Sequence, residues 1–267
     1  MFWRNCIAGR ATGRDRHWSS TITTDCSTVS EFRPSPNFDE RPPGVAVDAV
    51  ILHYTGMRSA DEALARLCDV RAKVSAHYFI DEDGRICQLV PEIGRAWHAG
   101  VSGWAGRRGL NDNTIGIEIV NPGHEWGYRP FPGVQMDALA GLLADILERH
   151  GISRTNVLAH SDVAPARKED PGELFDWAML ARQGLAVEIG PAAPVEPDAR
   201  RAGALLKSVG YDFDLPATGL PDIIRAFQRR HRRHRVDGVL DAETMGRVIA
   251  LADELAAIER RPSSPVG

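Results

Sequence analysis

The sequence predicts an α/β protein with a mixed β-sheet flanked by helices, followed by a small all-α domain of three helices. Three observations predict it. The apolar runs VDAVILHYTG and TIGIEIV read as strands and are interspersed with segments of helical periodicity. These elements interleave without a regular βαβ repeat, which favours a mixed sheet over a doubly wound parallel one. The stretch GPAAPVEPDAR then breaks the pattern, and only helical signals follow it.

Taken in order, residues 1–32 are rich in Ser, Thr and Arg with little periodicity, and are expected to be a disordered extension or the product of a start codon called too early. Val47, Val50, Ile51 and Leu52 cluster in a buried strand that Gly56 closes, so His53 falls near a strand end. Ser59 and Glu62 have capping-box spacing, and Ala63, Leu64, Leu67 and Val70 continue a helix. AHYFIDEDGRICQLV places two strands around an Asp83-Gly84 turn. In TIGIEIV, Ile115, Ile117 and Ile119 share one face, which leaves Glu118 on the other. Met136, Leu139, Leu143, Ile146 and Leu147 mark a helix that Gly151 stops, and NVLAH is the last core strand. The first domain is thus expected over 33–190 and a semi-rigid linker over 191–200. The helical domain follows over 201–260, with helices at 202–209, at 221–233 and from Asp241 to 258, before a disordered tail at 261–267.

Composition narrows the function. A chain of 267 residues with 43% hydrophobic content has room for a full core and a smaller second domain. The net charge of -4 gives no basic field for nucleic acid. Cys6, Cys26, Cys68 and Cys87 form no C-x-x-C pair, so neither a zinc ribbon nor a redox motif is suggested. No run of 18 apolar residues offers a membrane span, and the first residues lack the apolar segment of an export signal. Nothing in the sequence encodes an oligomer, so a monomer is the default.

His53 and His160 both end predicted strands, and Asp170 lies in the loop HSDVAPARKEDPG. Two imidazoles and a carboxylate suit a catalytic zinc, because they leave a fourth tetrahedral position open where a structural site is closed by four protein groups. Pattern alone leaves hydrogen-bonded core or surface histidines as the alternative.

ILHYTG, SAHYFIDEDGRICQLVPE, AWHAGVSGWAGRRGLNDNTIGIEIV and HSDVAPARKEDPG occur in this order, and the chain from Arg33 to Trp177 resembles the type 2 N-acetylmuramoyl-L-alanine amidases, relatives of phage amidases and peptidoglycan recognition proteins. The resemblance implies one zinc ion on His53, His160 and Asp170, catalytic roles for Glu118 and Lys168, and peptidoglycan or muropeptide as substrate. A carboxylate beside the metal can move protons and an ammonium can face a developing oxyanion. The alternative for each is a salt bridge, with the other as one choice of partner. Asp170 stands where some phage members resemble a cysteine-ligand pattern, and Ala76 where those members have tyrosine, which makes Glu118 more necessary. Tyr54, His77, Trp97, His98 and Arg107 are candidates for substrate contact, joined by Trp104 and Arg108; core packing and a solvated arginine pair are the alternatives. Asp162 is expected to pair locally with Arg167.

LLKSVGYDF, IIRAFQRRHR and VDGVLDAETM resemble a three-helix peptidoglycan-binding module, which tethering would concentrate on a polymer. Phe227 is expected in its core. The run Arg229, Arg230, Arg232, Arg233 and Arg235 reads as a solvated basic face. Two other functions fit the same residues: a silent peptidoglycan receptor, and a zinc peptidase cutting within the stem peptide. The resemblance implies the bacterial envelope, periplasm or outer membrane, and the missing export signal leaves the cytoplasm as the alternative.

Overall fold

Short strands and helices alternate up to about residue 190, after which the chain is wholly helical. The computed structural model describes residues 24–260. The elements are β1 (Glu31–Phe32), β2 (Phe38–Glu40), β3 (Ala49–Tyr54), α1 (Ala60–Cys68), β4 (Tyr78–Ile80), β5 (Ile86–Gln88), β6 (Gly94–Ala96), β7 (Gly103–Trp104) and β8 (Arg107–Arg108). They continue with β9 (Thr114–Ile119), α2 (Gly123–Trp126), α3 (Gly133–His150), β10 (Val157–Ala159), α4 (His160–Val163), α5 (Trp177–Arg182), α6 (Ala199–Ser208), α7 (Leu220–His231) and α8 (Ala242–Arg260).

Six strands form one mixed sheet in the order β1-β5-β4-β9-β3-β10, in which only β4 and β5 run antiparallel. Strands β3 and β9 read as continuous apolar runs because both faces of the sheet are covered. On one face, Val50, Leu52, Ile115, Ile117 and Ile119 pack against Leu139, Leu143 and Ile146 of α3. The other face is shared. Ala63 and Leu67 of α1 cover Phe79, Cys87 and Val120, while α6, α7 and α8 bring Leu206, Ile223, Phe227 and Val248 onto Ala49, Ile51 and Leu158. Strand register then places His53 opposite Glu118 on this second face, at the carboxyl ends of parallel strands where open α/β sheets bind ligands.

Two expectations change. Residues 24–32, assigned above to a disordered extension, belong to the fold: β1 pairs parallel with β5, and Cys26 is buried in the core. Two-residue strands carry too little periodicity to show in the sequence. Residues 1–23 and 261–267, the rest of the expected disordered segments, lie outside the described residues. The segment expected as a semi-rigid linker is held against α8, since Val195 donates its N–H to Ala242 O (2.9 Å) and a Cβ at Gly246 would collide with the Ala193 carbonyl. The arginine run is not one solvated face, because Arg229, Arg230 and Arg232 are buried and only Arg235 is exposed.

Candidate active site

Strand β3 delivers His53, β10 runs directly into His160 at the start of α4, and the loop after α4 returns to Asp170. The loop is closed at its base by Ser161 N–H donating to Asp170 O (3.0 Å). All three side chains are buried, and they are the group among the described residues with the donor types and spacing to hold a metal ion. His53 Nδ1 lies 2.8 Å from His160 Nδ1 and 3.1 Å from Asp170 Oδ2, and His160 Nδ1 lies 2.9 Å from the same oxygen. Tetrahedral ligands on bonds of about 2.0–2.1 Å stand about 3.3 Å apart, so the triangle is close to a metal-binding one.

The surrounding hydrogen bonds fix which nitrogens carry protons. His160 Nε2 faces Ala99 O at 3.1 Å, and a carbonyl only accepts, so in the neutral ring Nδ1 presents a lone pair. His53 is set by a longer relay. Thr114 gives its hydroxyl proton to Leu110 O (2.6 Å), which leaves Oγ1 to accept from His98 Nε2 (3.2 Å). His98 Nδ1 therefore accepts from His53 Nε2 (3.1 Å), and His53 Nδ1 is left as an acceptor. Gly116 makes the relay possible, since a Cβ there would fall on the His98 ring. Three acceptors thus converge with no donor between them, an arrangement that repels itself unless a cation sits at its centre.

Electrostatics agree with this assignment. Burial, with the neighbouring His160, lowers His53 to about 4, and burial beside His53 and His77 pushes His98 well below its usual range. Burial alone would raise the Asp170 carboxyl, but His160 and His53 outweigh it and hold Asp170 well below the ordinary carboxylate range. Glu118 goes the other way. Burial first, then the charge of Asp170, raise it to about 8, with Lys168 opposing, and its Oε2 is buried without a hydrogen-bond partner.

A cavity of about 390 Å³ opens over these groups, lined by Glu118, Lys168, Tyr54, Trp97 and His98 as well as the three candidate ligands. Lys168 has no ion pair among the described residues, so neither it nor Glu118 is held in the salt bridge weighed as an alternative. Tyr54 shares its hydroxyl with His124 Nδ1 (2.9 Å), and Trp97 donates Nε1–H to Asp39 (2.7 Å).

Other candidates lie elsewhere. His77 is fully buried behind the site, accepting Gly116 N–H at Nδ1 (3.0 Å) and lying 3.1 Å from Gly94 O, so it stitches strands rather than meeting substrate. Arg107 is paired with Asp48 outside the cavity. Arg108 reaches Asp212 (3.1 Å), and Trp104 packs on Tyr211 with ring centroids 5.0 Å apart. Arg108 and Trp104 thus join the sheet domain to the segment after α6, a use that a dipeptide of arginines does not announce. Asp162 pairs with Arg230 instead of Arg167, whose guanidinium caps Ala99 O and Val101 O at 2.8 Å each. His124, which also meets Glu173 (3.2 Å), was not legible as a site residue, because it sits alone on a four-residue helix without a patterned neighbour.

The profile of the N-acetylmuramoyl-L-alanine amidase family matches residues 43–173. The chain is 38% identical over 232 residues to N-acetylmuramoyl-L-alanine amidase AmiD of Escherichia coli K12, covering 78% of this chain and 83% of that protein. The chain belongs to this amidase family. The amidase is also 33% identical over 174 residues to 1,6-anhydro-N-acetylmuramyl-L-alanine amidase AmpD of Haemophilus influenzae, covering 58% of this chain and 90% of the relative. Among solved structures, AmiD from E. coli in complex with anhydro-N-acetylmuramic acid-L-Ala-D-γ-Glu-L-Lys superposes with a TM-score of 0.70 at 35% identity, over 82% of this chain and 98% of that one. AmpDh3 from Pseudomonas aeruginosa gives 0.69 at 31% identity, over 88% and 99%. The mixed sheet flanked by helices is therefore the amidase fold. Among the described residues, no helix of the amidase is long and apolar enough to cross a membrane.

Proposed function

We propose that the amidase hydrolyses the amide bond between N-acetylmuramic acid and L-alanine, in peptidoglycan or in muropeptides, using one zinc ion held by His53, His160 and Asp170. The observation that carries this reading is the triangle of three acceptors whose protons are directed elsewhere, beside an unpartnered buried carboxyl. Two imidazoles and one carboxylate favour zinc over the oxygen-seeking cations. Zinc, when bound, polarises a carbonyl and acidifies water near neutral pH.

The side chains supply the rest. Glu118, raised to about 8 without the cation, is drawn down by a positive charge nearby and so is poised to take a proton from the attacking water and deliver it to the leaving nitrogen. Lys168 directs its ammonium toward the oxyanion forming on the scissile carbonyl. Tyr54 and Trp97, on the cavity walls, orient the muramoyl and peptide portions. Muropeptides are the favoured form because the AmiD and AmpDh3 structures were solved with such molecules bound. The helices α6–α8 are read as a peptidoglycan-binding unit by sequence resemblance, and the bacterial envelope is the compartment that this substrate fits.

Digestion of purified peptidoglycan and of a soluble anhydro-muropeptide, followed by mass analysis, tests the reading. New L-alanine amino termini with intact glycan are expected, together with one zinc per chain by elemental analysis. Cleavage inside the stem peptide, or a metal-free active protein, would replace it.

A further inference from the structure

The C-terminal helices touch the loop that carries two of the three ligands, at both of its ends. Asp162, in the first turn after His160, is almost fully buried and accepts three hydrogen bonds. One comes from within the loop region, Ala159 N–H to Oδ2 at 3.0 Å. The other two come from C-terminal residues: Arg230 Nη1 to Oδ2 (3.0 Å) and Tyr211 hydroxyl to Oδ1 (2.9 Å). Arg230 also donates to Val157 O (3.0 Å), at the start of the strand that runs into His160, and to Val187 O (2.6 Å), while its guanidinium lies 3.9 Å over the Trp177 ring. At the far end, Arg229 pairs with Glu169 (2.6 Å), the neighbour of Asp170, and Arg233 donates to Phe175 O (3.0 Å).

We propose that Arg230 and Arg229 are positioning residues of the metal site, so that α7 completes the active site rather than serving only as an appended binding module. The inference rests on the zinc reading above. A buried ion pair adds little net stability, but it fixes geometry sharply, because moving either partner leaves a charge without its counterpart. Arg230 uses the forked geometry of its guanidinium to join the start of β10, the His160 turn and the Val187 carbonyl at once, which an ammonium cannot do. The loop has only a four-residue helix of its own. Groups that orient metal ligands from behind typically change metal affinity about 10- to 100-fold when removed.

The experiment uses the full-length chain as wild type, Arg229→Ala, Arg230→Lys and Arg230→Met. Zinc affinity is read by competition with a chromophoric chelator, steady-state kinetics on a soluble anhydro-muropeptide, and folding by circular dichroism. Arg229→Ala, whose partner Glu169 has a side chain 49% exposed, keeps the fold and so decides the matter if the Arg230 variants unfold. Expected are an affinity about 10-fold weaker in Arg229→Ala, a lower kcat with KM within about twofold, and partial recovery in Arg230→Lys relative to Arg230→Met. A folded Arg229→Ala with wild-type zinc affinity and kcat, or one altered only in KM for polymeric peptidoglycan, overturns the proposal. A wild-type protein that binds no zinc would instead remove the reading beneath it, and the proposal with it.

Discussion

Helix α3 closes one face of the sheet with Met136, Leu139, Leu143 and Ile146, whereas α7 closes part of the other with Ile223, Ile224 and Phe227 and then with Arg229, Arg230 and His231. The first interface is apolar along most of its length: Gln135 donates to Ile80 O and Val120 O, and only at the last turn do Arg149 and His150 meet the buried carboxylate of Glu92. The second joins apolar contact to guanidinium groups that reach backbone carbonyls, the buried Asp162 and the half-exposed Glu169, these two carboxylates both on the segment that carries His160 and Asp170. An apolar interface tolerates small shifts in side-chain position, while a network of directed donors permits only one arrangement. The amidase places its candidate ligands on the directional side.

The sharpest test separates chemistry from either interface. Glu118→Gln touches neither α3 nor α7, and turnover should fall by about 10²- to 10⁴-fold with metal content unchanged, measured by hydrolysis of a muropeptide and elemental analysis. Next, the two faces can be weakened in turn. Arg230→Met should cost about 3–5 kcal/mol in urea unfolding by stranding Asp162, and Leu143→Ala about 2–5 kcal/mol by opening a cavity. Only the first should also loosen the metal, and an equal loss of metal in Leu143→Ala would erase the contrast.

A smaller effect appears in the pH dependence of the metal-free protein. Glu118 is raised to about 8 from an ordinary 4.5, so between those values the folded state keeps a proton that the unfolded chain releases, and stability falls as pH rises. His53, lowered to about 4 from 6.5, acts oppositely below 6.5, where the unfolded chain gains the proton. The decline should therefore show between about 6.5 and 8, amount to roughly 2 kcal/mol, and flatten in Glu118→Gln when melting temperature is followed against pH. Smallest of all, Tyr211→Phe should cost about 1 kcal/mol, since it removes one of three donors to Asp162.

The same contrast explains what the sequence made legible. The period of α3, the alternation of β9 and the Asp83-Gly84 hairpin are local patterns, and β4 and β5 pair across that turn as expected. His53 and His160 stand out as residues that end predicted strands, and Asp170 joins them through the resemblance carried by the long motif HSDVAPARKEDPG; the three side chains lie together in the fold. What stayed hidden depends on partners distant in the chain. Arg107 finds Asp48, Arg108 finds Asp212, Arg230 finds Asp162, and β1 finds β5 across more than fifty residues. An arginine-rich segment looks the same in sequence whether solvent or a buried carboxylate receives it.

The relay from Leu110 through Thr114 and His98 has a consequence for loading. It holds the ring proton of His53 on the nitrogen facing away from the triangle, and Ala99 does the same for His160. An arriving cation therefore meets ring nitrogens whose lone pairs already face it, and at neutral pH its capture need expel no hydrogen ion from His53.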